Sequence, residues 1–324
     1  SAVFAGTIRG LLQHDSRIVV LTAAMLDGTG LAAVRPDFPG RVIDVGISEQ
    51  HAVTLAGGLA AGGMRPVVAI YSTFLQRAFD QIVHDVCLSR LPVVFAVDRA
   101  GIVGGDGKTH QGLFDLAYLG LVPDMTVLAP RDGAQLAAML RYAVTCDGPV
   151  AIRYPRARVP AAQFGTADDG FRAGAEVLRQ GRDLLLVPVG SMVDVAMQVS
   201  QRLSAEGIGV EVVDPVVVRP LDTELLCARV AAHHTVVTIE EHVLSGGFGS
   251  RLAAALEDAG LNQVRLVRLG VDDRFVPHGP RDVLLRECGL EADAVVAVCR
   301  RQLYEVGDYF QGESCSSISQ QQQN

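Results

Sequence analysis

The chain has 324 residues and a formal net charge of −8, with 28 Lys plus Arg against 36 Asp plus Glu. That acidic balance excludes a general nucleic-acid binder, which carries a basic excess. Hydrophobic residues make up 49% but fall in short runs, so no stretch approaches the ~18 to 20 apolar residues of a membrane span.

At roughly 150 residues per domain, the length predicts two domains with real cores. Six cysteines, at 87, 146, 227, 288, 299 and 315, form no Cys-x-x-Cys pair and no Cys/His cluster. Neither a disulfide framework nor a zinc site is expected. No secretory signal is visible in the first ten residues, and a cytoplasmic location is expected. The sequence opens on Ser1 rather than Met, so residues upstream are expected.

In chain order, helical patterns over 2–12, 48–62, 73–89 and 132–145 alternate with predicted strands at 18–22, 67–70, 93–97, 126–129 and 150–153. A further short strand ends at Asp44. Continuous apolar strands alternating with helices predict a parallel sheet covered on both faces. In the helix over 73–89, Phe74, Ala78, Ile82 and Val86 form one stripe, with Arg77, Asp80, His84 and Asp85 off it. Asp132 is placed to cap the helix that follows it. Residues 157–176 change texture, mixing Pro, Gly, Thr, Asp and Ala, and read as a linker. A second alternating series follows, with strands near 184–189, 209–213, 235–240 and 264–268 and helices near 191–206, 222–232, 249–259 and 280–288. The fold class is therefore α/β in two units, 1–156 and 177–304, each a mainly parallel sheet with helices on both faces. The tail 305–324 is Ser- and Gln-rich and is expected to be disordered.

Three segments of the first unit bear polar groups at strand or helix ends. Asp44-Val45-Gly46-Ile47-Ser48-Glu49-Gln50-His51-Ala52 places Glu49 in a first helical turn, where a carboxylate suits the helix dipole whether or not it has a function. Tyr71 to Gln81 opens a helix directly after a strand, where ligands gather in parallel sheets. On spacing alone, Phe74 reads as core and Arg77 as surface. Asp98 to Gly112 holds five glycines and brings Arg99, Asp106, Lys108 and His110 close together in a loop at a strand's carboxyl end. In the second unit, Gly246-Gly247-Phe248-Gly249-Ser250 lacks the third glycine of a dinucleotide fingerprint and reads as close strand–helix packing.

These segments together closely resemble 1-deoxy-D-xylulose-5-phosphate synthase, a thiamine-diphosphate enzyme of the transketolase superfamily. The resemblance rests on Ser48-Glu49-Gln50-His51-Ala52, the run Ile70 to Arg77, the run Asp98 to Gly104, Asp106-Gly107, Thr109-His110-Gln111-Gly112 and Arg153-Tyr154-Pro155-Arg156. In the second unit, Val218-Arg219-Pro220-Leu221-Asp222, Glu240-Glu241-His242 and Asp273 to Gly279 match the family's C-terminal domain. The resemblance implies that Glu49 hydrogen-bonds N1′ of the cofactor's aminopyrimidine; a protonated carboxyl can donate to such a nitrogen. It implies that Phe74 stacks on that ring and that Arg77 lies close to the cofactor pocket. Tyr71, Arg99 and Arg156 match the grip on the acceptor sugar's phosphate, a dianion that guanidinium forks suit. Asp106 and His110 match residues facing the acceptor, and His110 is a candidate proton shuttle.

One departure limits the resemblance. The superfamily holds the diphosphate and its Mg²⁺ through Gly-Asp-Gly followed roughly 25 to 30 residues later by Asn. Here Gly105-Asp106-Gly107 belongs to the acceptor loop, and the only asparagines are Asn262 and Asn324. No metal ligand is assigned to this chain. The expected enzyme is a pyruvate-decarboxylating carboligase acting on glyceraldehyde 3-phosphate, with a separate diphosphate-binding chain as partner and a dimer or heterotetramer as its assembly. The alternatives are a β subunit of a two-component transketolase or of a 2-oxo-acid dehydrogenase, and a non-catalytic scaffold. Neither a nucleic acid nor a membrane is an expected partner.

Overall fold

The computed structural model describes residues 1–159 and 171–303. The expected linker lies mostly outside that range, and the expected tail lies wholly outside it. The described strands are β1 Ile18–Thr22, β2 Val42–Asp44, β3 Arg65–Tyr71, β4 Val94–Asp98, β5 Thr126–Leu128, β6 Val150–Arg153, β7 Glu176–Arg179, β8 Leu184–Pro188, β9 Val210–Asp214, β10 Val217–Arg219, β11 Thr235–Val243 and β12 Arg265–Val271. They form a seven-stranded sheet, β10-β5-β6-β4-β3-β1-β2, and a five-stranded sheet, β12-β11-β8-β9-β7. All pairings are parallel except β10 on β5 and β7 on β9.

The first sheet is buried on both faces because alternate residues of each strand enter different cores. Val19, Leu21, Val68, Ile70, Phe95 and Val97 face the helix Glu49–Ala61 and the segment 72–87. Ile18, Val20, Val67, Ala69, Val94 and Ala96 face the helices Ala2–His14 and Gly133–Ala143. Side chains of a strand point alternately to opposite faces, so two-sided burial produces the continuous apolar runs seen in the sequence. Asp132 caps as expected, its Oδ1 accepting from the Gln135 amide at 2.8 Å. In the second sheet, Leu184, Leu186, Val210 and Val212 face the helix Met192–Ala205, while Leu185 and Val187 join the same core as Phe95. One apolar layer thus runs continuously beneath both sheets.

Two expectations need correction. The single helix over 73–89 is a series of short pieces: Ser72–Leu75, a 3₁₀ turn Gln76–Ala78, Phe79–Gln81 and a π-helical stretch Ile82–Cys87. The stripe still faces inward, with Ala78, Ile82 and Val86 fully buried and Phe74 partly so. Apolar spacing records which residues meet the core and is silent on local changes of hydrogen-bond register. Val217–Arg219, grouped with the second unit, pairs instead with the first sheet, Val217 opposite Leu128. It covers the outer edge of β5, which would otherwise present unpaired backbone groups.

The fold brings loops to one rim. Strands β1, β2, β3, β4 and β6 are mutually parallel, so the segments after Thr22, Asp44, Tyr71, Asp98 and Arg153 leave from the same end of the sheet. Every candidate site residue lies on one of those segments or at the strand end itself.

Candidate active site

Glu49 is the first residue of the helix Glu49–Ala61 and is only 7% exposed. It lines an open cleft of about 960 Å³ together with Ala23, Met25, Ile47, Phe74 and Arg77. The cleft walls after β1 and β2 are tied together by Asp44, whose Oδ1 accepts the amides of Ala24 at 2.7 Å and Gly46 at 3.0 Å. A cleft of mixed lining, with one carboxyl at a helix start and an aromatic ring on its wall, suits a flat heteroaromatic ring bearing a nitrogen acceptor. It offers little to a diphosphate, since Arg77 is the only Lys or Arg among the described residues that line it. Among the described residues, no cluster of three or more His, Cys, Asp or Glu side chains could hold a metal ion.

Phe74 links this cleft to a second group of side chains. Its ring stacks on Tyr71, with centroids 5.5 Å apart, and meets His110 edge-on at 5.1 Å. The Arg99 guanidinium lies over the other part of this stack, 3.6 Å from the Tyr71 ring centroid. Arg99 Nη1 also donates to the Gly28 carbonyl at 3.3 Å and pairs with Asp98 Oδ2 at 3.3 Å. Arg99 is 6% exposed and holds a left-handed backbone, φ +58°. Burial pushes the Asp98 carboxyl above its ordinary range, against the pull of the Arg99 charge.

Asp106 lies between the two expected phosphate-binding arginines. Arg156 Nη1 donates to both its oxygens, at 2.8 and 2.9 Å, and Arg99 Nε is 3.5 Å away. Partial burial works upward on the Asp106 pKa, but the Arg156 hydrogen bond and the charges of Arg156 and Arg99 outweigh it and hold the carboxyl below its usual range. Tyr71, Phe74, Arg99, Asp106, His110 and Arg156 are therefore one connected cluster, and Phe74 joins it to Glu49 and Arg77.

Further residues shape this cluster, and the first of them, Gly28, carries no local signal in the sequence. A Cβ on Gly28 would lie 1.5 Å from the Tyr71 hydroxyl and 3.1 Å from Arg99 Nη2, so only glycine leaves room for both. Gly112 likewise packs against the Arg99 carbonyl, 2.2 Å from where a Cβ would stand. The matched run Glu240-Glu241-His242 takes three structural positions on β11. Glu240 accepts the amides of Phe248 at 2.7 Å and Gly249 at 2.9 Å, and burial pushes its carboxyl up to about 7. That carboxyl occupies the helix start at Gly246 to Ser250, in keeping with a packing role for those glycines. Burial pushes His242 down to about 4, and its Nε2 accepts the Ala117 amide at 3.2 Å. A separate cavity of about 610 Å³, walled by Val3, Leu136, Tyr154 and Met192 among others, contains none of the candidate side chains.

Comparison with known proteins agrees with this architecture. Residues 1–161 match the transketolase pyrimidine-binding domain and residues 173–295 match the transketolase C-terminal domain. The chain is 46% identical over 301 residues to 1-deoxy-D-xylulose-5-phosphate synthase 1 of Geobacter metallireducens, covering 93% of this chain and 48% of that protein. It is 48% identical over 299 residues to the 1-deoxy-D-xylulose-5-phosphate synthase of Heliobacterium modesticaldum, covering 92% and 46%. It spans about half the length of these curated relatives. Among solved structures, a split-gene transketolase described as an inactive β4 tetramer superposes with a TM-score of 0.83 at 34% identity, covering 94% of this chain and 97% of that one. A Pichia stipitis transketolase mutant shares the fold, with a TM-score of 0.78 at 18% identity over 94% of this chain and 45% of that one. No described helix is long and apolar enough to cross a membrane. The two matched domains, and a solved relative covered almost end to end, mean that the chain belongs to the transketolase family of thiamine-diphosphate-dependent transferases.

Proposed function

We propose that the chain contributes the cofactor-ring site and the acceptor site of a carboligase like 1-deoxy-D-xylulose-5-phosphate synthase, which joins a two-carbon unit from pyruvate to glyceraldehyde 3-phosphate. Residues 1–156 would form the pyrimidine-binding domain and 177–304 the C-terminal domain. A separate diphosphate-binding domain, carrying Mg²⁺, would complete the site in an assembly that is at least dimeric. The observation that carries this reading is the position of Phe74, a shared wall between the Glu49 cleft and the Arg99/Arg156 cluster.

Glu49 holds a proton at the ring nitrogen of the cofactor, and Phe74 presents an aromatic face to the ring, with Arg77 at the rim. Thiamine diphosphate, when bound, supplies the nucleophilic carbon and electron sink that decarboxylation of a 2-oxo acid requires. Arg99 and Arg156 bind the acceptor's phosphate with Tyr71, taking it in place of the Asp106 carboxylate. Asp106, so released, orients the acceptor. His110, edge-on to Phe74, delivers the proton taken up by the aldehyde oxygen as the new C–C bond forms.

The test combines the chain with its diphosphate-binding partner and assays pyruvate plus glyceraldehyde 3-phosphate. Glu49→Ala is expected to lower turnover by at least about 10²-fold, the usual range for a lost general acid–base group. Retained activity refutes the role. A second reading, the β subunit of a two-component transketolase, is favoured by the 34% identity to a split-gene transketolase chain. It predicts that a phosphorylated ketose, and not pyruvate, donates the two-carbon unit in the same assay. A 2-oxo-acid dehydrogenase subunit has no use for the Tyr71, Arg99 and Arg156 cluster.

A further inference from the structure

We infer that Glu241, with Arg281, is a positioning residue for the acceptor-facing loop: a strand and a helix start of the C-terminal half hold the backbone of Ile102 from both sides and so anchor the base of the loop whose tip carries Asp106 and His110. This role rests on the acceptor site proposed above. Glu241 is 1% exposed, and its Oε2 accepts the Ile102 amide at 3.0 Å across 139 residues of sequence. Its Oε1 accepts from Ser191 Oγ at 2.8 Å and pairs with the Arg281 guanidinium. Arg281 Nε in turn donates to the Ile102 carbonyl at 3.0 Å. One ion pair thus satisfies both backbone groups of a single loop residue, a job that a neighbouring strand does elsewhere.

The loop's glycines fit this grip. A Cβ on Gly101, at φ +82°, would lie 2.6 Å from Glu241 Oε2. A Cβ on Gly104, at φ +79°, would lie 2.8 Å from the Gly279 carbonyl and 2.9 Å from the Arg281 amide. Gln111 closes the other limb, accepting the Val103 amide at 2.7 Å and donating to the Pro277 carbonyl at 3.0 Å. Gly101 and Gly112 exchange backbone bonds of 2.7 and 2.8 Å at the neck. Only the tip that carries Asp106 and His110 remains outside this frame. Glu241 touches neither candidate ligand site, so its influence runs through the backbone.

Hydrogen exchange of the whole chain gives the first test. In Glu241→Gln, the amide that replaces one carboxylate oxygen would face the Arg281 donors, and peptides covering 101–112 are expected to exchange about tenfold faster, as for one lost charge-assisted hydrogen bond. Strands β4 and β6 keep wild-type rates. Unchanged loop exchange, or an equal rise through both sheets, overturns the inference. Gly101→Ala keeps Glu241 in the sequence but would push its carboxylate off the Ile102 amide, and should reproduce the effect. In the complete enzyme, the KM for glyceraldehyde 3-phosphate rises about tenfold while that for pyruvate moves less than about twofold. An equal change in both means a merely structural role. If the wild-type enzyme ignores phosphorylated acceptors, the proposed function fails, while the exchange measurement still judges the grip.

Discussion

Replacing Arg99 by Lys separates phosphate recognition from charge. In the structure the guanidinium lies 3.6 Å above the Tyr71 ring and 3.3 Å from Asp98 Oδ2. Lys keeps a positive charge beside the buried Asp98 carboxyl, so no uncompensated ion is created. It loses the planar fork and the stacking, which an ammonium does not reproduce. The competing contact is weak: Arg156 and Asp106 side chains are 53% and 27% exposed, and such a pair is worth about 0–1 kcal/mol. A phosphate that displaces Asp106 therefore gives up little, and its affinity reflects its own charge-assisted bonds. Losing one costs about 1.5–3 kcal/mol, or about 10- to 150-fold in kcat/KM for glyceraldehyde 3-phosphate. Unphosphorylated glyceraldehyde, which never meets the fork, should lose less than about threefold. Steady-state kinetics of the complete enzyme with both acceptors measures the ratio. An equal loss for the two would refute phosphate recognition by Arg99.

Two further perturbations address the frame around the site. Gly28→Ala should raise the KM for the phosphorylated acceptor about tenfold and leave the thermal midpoint near wild type, because its Cβ would displace the Tyr71 hydroxyl and crowd Arg99 at the edge of the cluster; unchanged kinetics would mean that Tyr71 moves freely. Glu240 and His242 should give stability opposite pH slopes. Burial raises Glu240 from 4.5 to about 7, so its contribution is full below about 4.5 and is lost as pH rises towards 7. Burial lowers His242 from 6.5 to about 4, so its contribution is full above about 6.5 and is lost as pH falls towards 4. Each slope is at most about 1.4 kcal/mol per pH unit, and in the window between the two ordinary values they offset each other. In that window Glu240→Gln should make the melting temperature climb with pH more steeply than wild type, and His242→Asn should make it fall; matching slopes in both variants would contradict the assigned shifts.

The sequence reveals most where burial is two-sided. Ile18–Thr22 and Val150–Arg153 match their predicted bounds because strands enclosed on both faces are written as unbroken β-branched runs. Glu176–Arg179 and Val217–Arg219 escape notice because three or four residues carry too little pattern. The site divides in the same way. Glu49, Phe74 and Arg99 stand in contiguous motifs at strand ends; on spacing alone Glu49 reads as a first-turn acid and Phe74 as core, and the resemblance of the whole motifs is what points to a ligand. Gly28 acts on those motifs from a position that nothing local marks, and Glu241, though it stands in the matched run Glu240-Glu241-His242, gives no local sign of the loop it holds. The glycines from 101 to 112 suggest a flexible loop when read alone, yet at Gly101, Gly104 and Gly112 another residue comes within 3 Å of where a side chain would begin. Those glycines record close approach, and two of the approaching surfaces, Glu241 and Gly279, come from the other sheet's half of the chain. A local pattern can state that a side chain is absent; the reason for its absence is a contact made only once both halves have folded against each other. The same dependence makes the loop over 101–112 a joint product of both halves of the chain, and it predicts that cutting the chain between them would speed hydrogen exchange in that loop before it unfolds either sheet.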